Sequence, residues 1–288
     1  MKLFCSKKSH FFLPTIGFLL LFIAVYAAAP LTSDSAEIQS NELVKLETRP
    51  GATQRFILIN PANPVASVIL FAGGWGNLQL GSGFGEPTVS NSSKNFLVRT
   101  RKDFAKQGLM VAVIDSPSDK KKMNSIWRIS EENGQDIKGV ANYLKSQANI
   151  PVWLVGTSYG TLSAPNGTIR NKEVVDGLVL TSSVTRMRAK SKIYGTHPDG
   201  IINMDLGKIT VPTLIVSHQD DKCELTPASD APKLKKALVN SPKVEIMYFT
   251  GGKRPKSKPC HALSAHGFYG IEDQVVTAIA DFIKANSK

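Results

Sequence analysis

The sequence predicts an α/β fold with a mostly parallel central sheet and helices on both faces. Short β-branched runs, almost wholly apolar, alternate along the chain with longer amphipathic stretches. Apolar runs of this kind are typical of strands buried on both faces of a parallel sheet, and helical crossovers join such strands. The composition, 42% hydrophobic and 20% charged over 288 residues, excludes an intrinsically disordered chain.

The first 29 residues are expected to lie outside this fold. Three lysines within the first eight residues precede an apolar run that ends at Ala29, which is the pattern of a secretory signal peptide. Ala27 and Ala29 offer a small-residue cleavage site, but Pro30 follows it directly. The segment is therefore either cleaved or kept as an N-terminal anchor. We expect an exported protein, periplasmic or secreted, that is tethered to the membrane if the segment stays.

The rest of the chain divides into a polar leader over residues 30–49 and one α/β domain over residues 50–288, because no linker-like tract interrupts it. Ser130 is the predicted N-cap of the second helix, since two glutamates follow it in the first turn. The predicted strands are 55–59, 67–72, 110–114, 152–155, 177–181, 213–217 and 244–249, and the predicted helices are 95–107, 131–147, 233–238 and 272–284.

The clearest chemical signal is the segment Gly156-Thr157-Ser158-Tyr159-Gly160, which follows the predicted strand 152–155 directly. In a G-x-S-x-G turn the serine is held in a strained conformation and neighbouring backbone comes close, so larger side chains two positions away would clash. An ordinary serine-glycine turn is the alternative. The preceding strand favours Ser158 as a nucleophile.

A serine nucleophile needs a base to take its proton, and that base is in turn oriented by an acid. His266 lies after the last predicted strand and before the last helix, where a loop can bring it over the sheet edge that carries Ser158. His261 is the nearest competitor. Asp220 and Asp221 follow strand 213–217, and spacing alone does not choose between them.

Backbone donors for a developing oxyanion are expected in the glycine cluster after strand 67–72. We assign one donor to Gly74 or Trp75 and the other to Tyr159, the residue after the nucleophile. A phosphate-binding loop is the alternative for this cluster. It is disfavoured because no G-x-G-x-x-G leads into a helix and no Gly-Lys-Ser/Thr follows.

The order of nucleophile, acid and histidine, each after a strand, resembles the α/β-hydrolase superfamily from Arg55 to the C-terminus. The segments most similar to exported bacterial serine hydrolases resembling carboxylesterases are Gly156-Thr157-Ser158-Tyr159-Gly160-Thr161, Asp221-x-Cys223 and Cys260-x-Ala262-x-Ser264-x-His266-Gly267-Phe268. The resemblance implies an α/β-hydrolase domain over residues 50–288. It also selects Asp221 as the acid, because members of the superfamily carry the acid three residues past a His-Gly pair whose place Ser217-His218 takes here.

Two departures from the superfamily concern the segments around the site. Pro165 and Gly167 fall where members run an unbroken helix, so that helix is expected to be short or kinked. Residues 182–210 are short for a lid and lack a long apolar face, so the resemblance implies a minimal lid.

The cysteines point to a disulfide. Cys5 lies in the predicted signal segment, and Cys223 and Cys260 would meet an oxidising compartment after export. A zinc site built with His261 is the alternative, but pairs at metal-ligand spacing are missing. In related exported proteins such a pair would tie the acid loop to the histidine loop. No metal and no organic cofactor is expected.

The resemblance implies an exported serine hydrolase that cleaves a carboxylic ester or related acyl bond of a small molecule through an acyl-enzyme. The alternatives are a non-catalytic exported binding protein on the same fold and a serine peptidase, thioesterase or acyltransferase. The net charge of +12 is scattered, without interleaved aromatic residues, so we expect no nucleic-acid partner. Contact with an anionic envelope surface is compatible with that charge.

Overall fold

Eight strands form one sheet in the computed structural model, which describes residues 35–287 and, near the N-terminus, Met1, Leu3 and Phe4. Except for those three residues, the predicted signal segment lies outside the described part of the chain. The strands are β1 (Ile38–Arg49), β2 (Ala52–Pro61), β3 (Ala66–Phe71), β4 (Leu80–Gly83), β5 (Glu86–Val89), β6 (Leu109–Ile114), β7 (Val152–Thr157), β8 (Gly177–Thr181), β9 (Thr213–His218) and β10 (Val244–Phe249).

The order of strands in the large sheet is β1-β2-β6-β3-β7-β8-β9-β10, and β4 and β5 form a separate hairpin. Six strands are parallel to one another, namely β6, β3, β7, β8, β9 and β10. At one edge of the sheet, β2 runs antiparallel to β6 and β1 runs antiparallel to β2. The predicted fold class is confirmed. Because parallel strands end at the same edge, the loops after β3, β7 and β9 meet there.

The predicted polar leader is wrong for residues 38–49, which form β1. This strand pairs with β2 over most of its length, for example through Leu43 opposite Ile57. The sequence shows no clean alternation here because both faces of β1 are only half buried. Leu43 packs against one core cluster, while Val44 and Leu46 pack against the other.

Within residues 35–287, seven α-helices accompany the sheet. The predicted helix 95–107 is two short helices that meet at Thr100, whose hydroxyl donates to the Phe96 carbonyl at 2.7 Å. The prediction for Ser130 is confirmed, since its hydroxyl accepts from the Asn133 N–H at 3.2 Å. The helices are α1 (Phe96–Arg99), α2 (Arg101–Lys106), α3 (Ser125–Arg128), α4 (Glu131–Gln147), α5 (Gly160–Arg170), α6 (Ala231–Ala237) and α7 (Glu272–Ala285).

Two apolar clusters hold the helices on opposite faces of the sheet. Helices α1, α2 and α7 contribute to one cluster, in which Phe104 and Ile279 are fully buried. Helices α4, α5 and α6 contribute to the other, in which Ile137 and Leu234 are fully buried. Each such side chain contributes about 1.5–3 kcal/mol by leaving water. Among the described residues no helix is long and apolar enough to cross a membrane.

Candidate active site

Ser158 lies in the turn between β7 and α5 with a φ of 52°. A positive φ is costly for a residue with a Cβ, so the surrounding structure must hold it. The Ser158 N–H donates to the Thr181 carbonyl at 3.1 Å, and the Thr161 hydroxyl donates to the Ser158 carbonyl at 2.6 Å. These bonds hold the serine at the carboxyl edge of the sheet.

The glycines of the turn are required by close backbone approach. A Cβ on Gly160 would lie 2.1 Å from the carbonyl oxygen of Phe71 at the end of β3. A Cβ on Gly156 would lie 2.6 Å from the Gly160 carbonyl oxygen. Helix α5 runs through Pro165, and a Cβ on Gly167 would lie 2.8 Å from Leu154. The turn and the start of α5 therefore sit directly against the sheet.

His266 and Asp221 are brought together from two loops. His266 Nδ1 lies 2.9 Å from Asp221 Oδ2, and both side chains are buried. The Thr226 hydroxyl donates to the same carboxylate oxygen at 2.8 Å, and the Cys223 N–H donates to Oδ1 at 2.9 Å. An imidazole that gives its Nδ1 proton to a carboxylate keeps Nε2 free to accept a proton.

The competing candidates lie elsewhere in the loops. The side chain of Asp220 is 67% exposed and its nearest histidine is His218, at 3.9 Å. His261 lines the same cleft as Ser158 and His266, but within residues 35–287 its ring has no carboxylate partner.

The described residues contain no hydrogen bond between Ser158 and His266, although both line the cleft. In ligand-free sites such bonds are often long and tighten on binding.

The loop after β3 lies directly against the serine. A Cβ on Gly73 would be 2.9 Å from the Ser158 Cβ. Within the described chain, the backbone N–H groups of Gly74, Trp75 and Tyr159 donate to no protein acceptor. Unpaired N–H groups beside a serine can stabilise negative charge on a substrate oxygen. The structure therefore places all three predicted donor residues in the lining of the cleft that holds Ser158.

Comparisons of the whole structure support this architecture. An esterase from Pyrococcus furiosus is similar at 13% identity and a TM-score of 0.61, over 86% of this chain and 92% of that one. A dienelactone hydrolase from Anabaena variabilis is similar at 12% identity and a TM-score of 0.57, over 86% of this chain and 99% of the hydrolase. Dipeptidyl peptidase 4 of Porphyromonas gingivalis is similar at 14% identity and a TM-score of 0.58, over 87% of this chain and 36% of the peptidase. The chain has the α/β-hydrolase fold. No protein-family profile and no curated protein matches it by sequence.

Arg128 supports the loop after β3 and was missed by sequence reasoning. Its guanidinium is fully buried, and Nη2 donates to the carbonyls of Ala72 at 3.0 Å and Gly74 at 3.2 Å. Nη1 donates to the Ser163 hydroxyl at 3.1 Å. Burial lowers the pKa of Arg128 to about 9, so the group stays charged at neutral pH. The one sequence feature that could have indicated a buried arginine is its position between apolar neighbours in Ile126-Trp127-Arg128-Ile129.

Arg99 supports the histidine loop from α1. Its guanidinium donates to the carbonyls of Ala262 at 3.3 Å and Gly267 at 2.5 Å, on either side of His266. It also donates to Glu272 at the start of α7, at 2.8 Å from Nη2 and 3.0 Å from Nε. Burial alone would raise the pKa of Glu272, but the bonds from Arg99 hold it below its usual value.

Cys223 and Cys260 form a disulfide, as predicted. The bonded sulfurs cannot serve with His261 as zinc ligands in this state. Among residues 35–287, no group of three His, Cys, Asp or Glu side chains lies close enough to hold a metal ion. The disulfide joins the loop after β9 to the loop after β10, which carry Asp221 and His266 respectively.

The active-site cleft, which is lined by Ser158, His266, Trp75 and Tyr159 among others, has a volume of about 830 Å³. This volume accommodates a small ligand. Trp75 is 56% exposed at the cleft, and Lys122 lies 5.3 Å above its ring. The cleft is therefore open to solvent beside the serine.

Proposed function

We propose that this chain is an exported serine hydrolase that cleaves a carboxylic ester, or a related acyl bond, of a small molecule. In this proposal Ser158 is the nucleophile, His266 the general base and acid, and Asp221 the group that orients His266. The observation that carries it is the strained Ser158 in one cleft with a histidine that is paired to a buried carboxylate. Hydrolase folds host many reactions, so the site rather than the fold supports the chemistry.

The reaction would proceed in two balanced halves. His266 Nε2 takes the proton of Ser158 as Oγ adds to the substrate carbonyl, and backbone N–H groups near Gly74, Trp75 and Tyr159 stabilise the oxyanion. Collapse expels the alcohol, which takes the proton from His266 and leaves an acyl-serine. Water then loses a proton to His266 and adds to the acyl carbon. In the second collapse the acid leaves and Ser158 Oγ takes the proton from His266, which restores both side chains.

An ester is the proposed substrate because its alcohol leaves more readily than the amine of a peptide and so demands less of the general acid. Two similar structures are named as an esterase and a dienelactone hydrolase, whereas a third is named as a dipeptidyl peptidase. Thioesterase and acyltransferase reactions use the same acyl-serine. Export is supported by the signal pattern of residues 1–29 and by a disulfide that fits an oxidising compartment.

The proposal is tested with a fluorophosphonate probe on the purified, oxidised protein, followed by mass spectrometry of the adduct. We expect labelling at Ser158, its loss in Ser158→Ala, and much slower labelling in His266→Ala. Ser92→Ala and His261→Ala are matched controls because both residues line the same cleft. A folded protein that takes no label would contradict the proposal and favour a non-catalytic exported binding protein.

A further inference from the structure

Positive side chains line the active-site cleft without acidic ones. Lys94, Arg188, Lys190 and Lys192 all line it, and none of the described lining residues is Asp or Glu. The chain as a whole has 35 Lys and Arg against 23 Asp and Glu, so a cleft without bias would contain both signs. A concave surface of one sign concentrates ligands of the opposite charge.

Most of this charge comes from one short loop, residues 188–192, which we call the basic loop. Its flanking residues Met187 and Ile193 are buried in the apolar cluster that contains α4 and α5. The Ser191 hydroxyl lies 3.2 Å from the Ser125 hydroxyl at the start of α3. The loop is thus anchored at both ends and at Ser191, so the backbone that carries its lysines is held at the cleft.

The basic loop is only partly neutralised by the protein. Arg188 pairs with Glu224 at 3.0 Å. Lys190 and Lys192 form no ion pair with any carboxylate of residues 35–287, and the same is true of Lys94 across the cleft. Three cations that line the same cleft as Ser158, two of them in the basic loop, therefore remain available to a ligand.

We infer that the substrate carries an anionic group, of which a carboxylate is the simplest, and that Lys190 and Lys192 bind it. This inference rests on the proposed function and adds the class of substrate. A small ligand is favoured over a polyanion or a membrane, because the cations line the cleft that holds Ser158 and not only the outer surface. Lysine recognises such a group as a point charge, so the attraction should weaken with salt.

The test compares matched anionic and neutral esters. para-Acetoxybenzoate and para-acetoxybenzamide place the charge on the alcohol side, and mono-para-nitrophenyl adipate and its methyl ester place it on the acyl side. The measured quantity is the ratio of kcat/KM for the anionic and neutral members of each pair. In Lys190→Gln/Lys192→Gln the ratio of at least one pair should fall about tenfold at low salt, and the wild-type ratio should fall with added salt.

Lys235→Gln/Lys236→Gln is the matched control, because it removes the same charge from exposed positions on α6 outside the cleft lining. Its ratios should equal those of the wild type. Ratios that do not change in Lys190→Gln/Lys192→Gln would overturn the inference, and turnover of the esters would still support the proposed function. Loss of binding to phosphatidylglycerol vesicles in that variant with unchanged ratios would overturn the inference and assign the loop to an anionic surface instead.

A protein that cleaves none of these esters is tested by competition. para-Carboxyphenylboronate and phenylboronate are compared as inhibitors of fluorophosphonate labelling, and the anionic boronate should lose its advantage in Lys190→Gln/Lys192→Gln. Equal inhibition by both in the wild type would overturn the inference. A protein that takes no label at Ser158 at all would overturn the proposed function itself.

A second, independent observation concerns Arg128 and the orientation of one peptide. Arg128 Nη2 donates to the carbonyl of Gly74, and the same peptide unit carries the N–H of Trp75. No described peptide bond is cis, so the C=O and N–H of this unit point in opposite directions. The Trp75 N–H is therefore turned away from Arg128. We propose that Arg128 is a positioning residue that aims the Trp75 N–H at the substrate oxyanion.

An arginine suits this role because its planar fork reaches several acceptors at once. It joins two carbonyls of the loop after β3 to Ser163 on α5, the helix that begins behind Ser158. A Cβ on Gly76 would lie 2.6 Å from Nη2, so the glycine leaves room for the guanidinium.

The test uses Arg128→Met and Arg128→Lys with an active ester. Removal of an oxyanion donor typically lowers kcat about 10²–10³-fold. A Trp75 N–H that points away from the oxyanion should lower kcat by a smaller factor. We expect kcat to fall about tenfold to a hundredfold with KM changed less than about threefold, and Lys to restore part of kcat. If Arg128→Met does not fold, Arg128→Lys decides alone. A kcat like that of the wild type in either folded variant, or a change confined to KM, would overturn this proposal.

Discussion

Loss of the Cys223–Cys260 disulfide is expected to reduce both stability and activity, by different routes. The two cysteines are 37 residues apart in sequence. In the chain-entropy description, a cross-link over a loop of this length stabilises the fold by about 4 kcal/mol. For a domain of this size about 1 kcal/mol shifts Tm by about 2–4 °C, so Cys223→Ser/Cys260→Ser should melt about 8–16 °C lower.

Activity should fall before the fold is lost. The Cys223 N–H donates to Asp221 at 2.9 Å, and Cys260 begins the turn that leads to His266. Without the bond, the two loops can separate and lengthen the contact between Asp221 and His266. We expect kcat/KM to fall about tenfold at a temperature where the protein is still folded, because a small misplacement of a catalytic group is costly.

The assay follows kcat/KM and near-UV circular dichroism in parallel during titration with a thiol reductant. Cys223→Ser/Cys260→Ser serves as the control, since its activity should not respond to the reductant. Equal fractional losses of activity and of folded signal would refute the idea that the bond supports the site directly. A Tm within about 2 °C of the wild type would refute the estimate of stability.

Three further predictions concern single residues. Gly160→Ala should destabilise the fold by about 3 kcal/mol or more in a thermal melt, because its Cβ would meet a β3 carbonyl at 2.1 Å. Asp221→Asn should lower kcat about 10⁴-fold, whereas Asp220→Asn should change it less than about twofold. Glu272→Gln should lower stability at neutral pH, because the bonds from Arg99 depress the pKa of Glu272. That difference is present above the ordinary pKa of about 4.3 and should vanish as pH falls through the lower folded value.

Each of these has a matched comparison. Gly195→Ala is the control for the first, because nothing lies within 4 Å of its ideal Cβ and its φ is not positive. A Gly160→Ala protein as stable as the Gly195→Ala protein would contradict the close approach of α5 to β3. Equal kcat values for the two asparagine variants would contradict the choice of acid. A stability difference for Glu272→Gln that does not decrease at all as the pH is lowered from neutral through the acid range would contradict the role of its charge.

The central sheet was predictable because its strands are buried on both faces. The predicted strand 177–181 agrees in both bounds with the fully buried β8. The predicted strand 244–249 agrees with β10, an edge strand that is half buried but whose residues are mostly apolar. The edge strand β1 was missed because polar and charged residues interrupt its half-buried apolar ones, so that neither face carries a continuous apolar pattern. Helix 131–147 was predicted to the residue, since its cap at Ser130 and its apolar stripe are both local.

The sequence by itself determined the fold class, the turn that presents Ser158 and the disulfide partners, because each depends on neighbouring residues or on a simple count. Spacing alone left Asp220 and Asp221 open, the resemblance to the superfamily selected Asp221, and the tertiary structure places Asp221 against His266. Only the tertiary structure revealed Arg128 and Arg99 behind the loops. These contacts join residues far apart in the chain. They depend on strand order and on loop paths that no local pattern encodes, and this is why spacing alone left the acid of the site open.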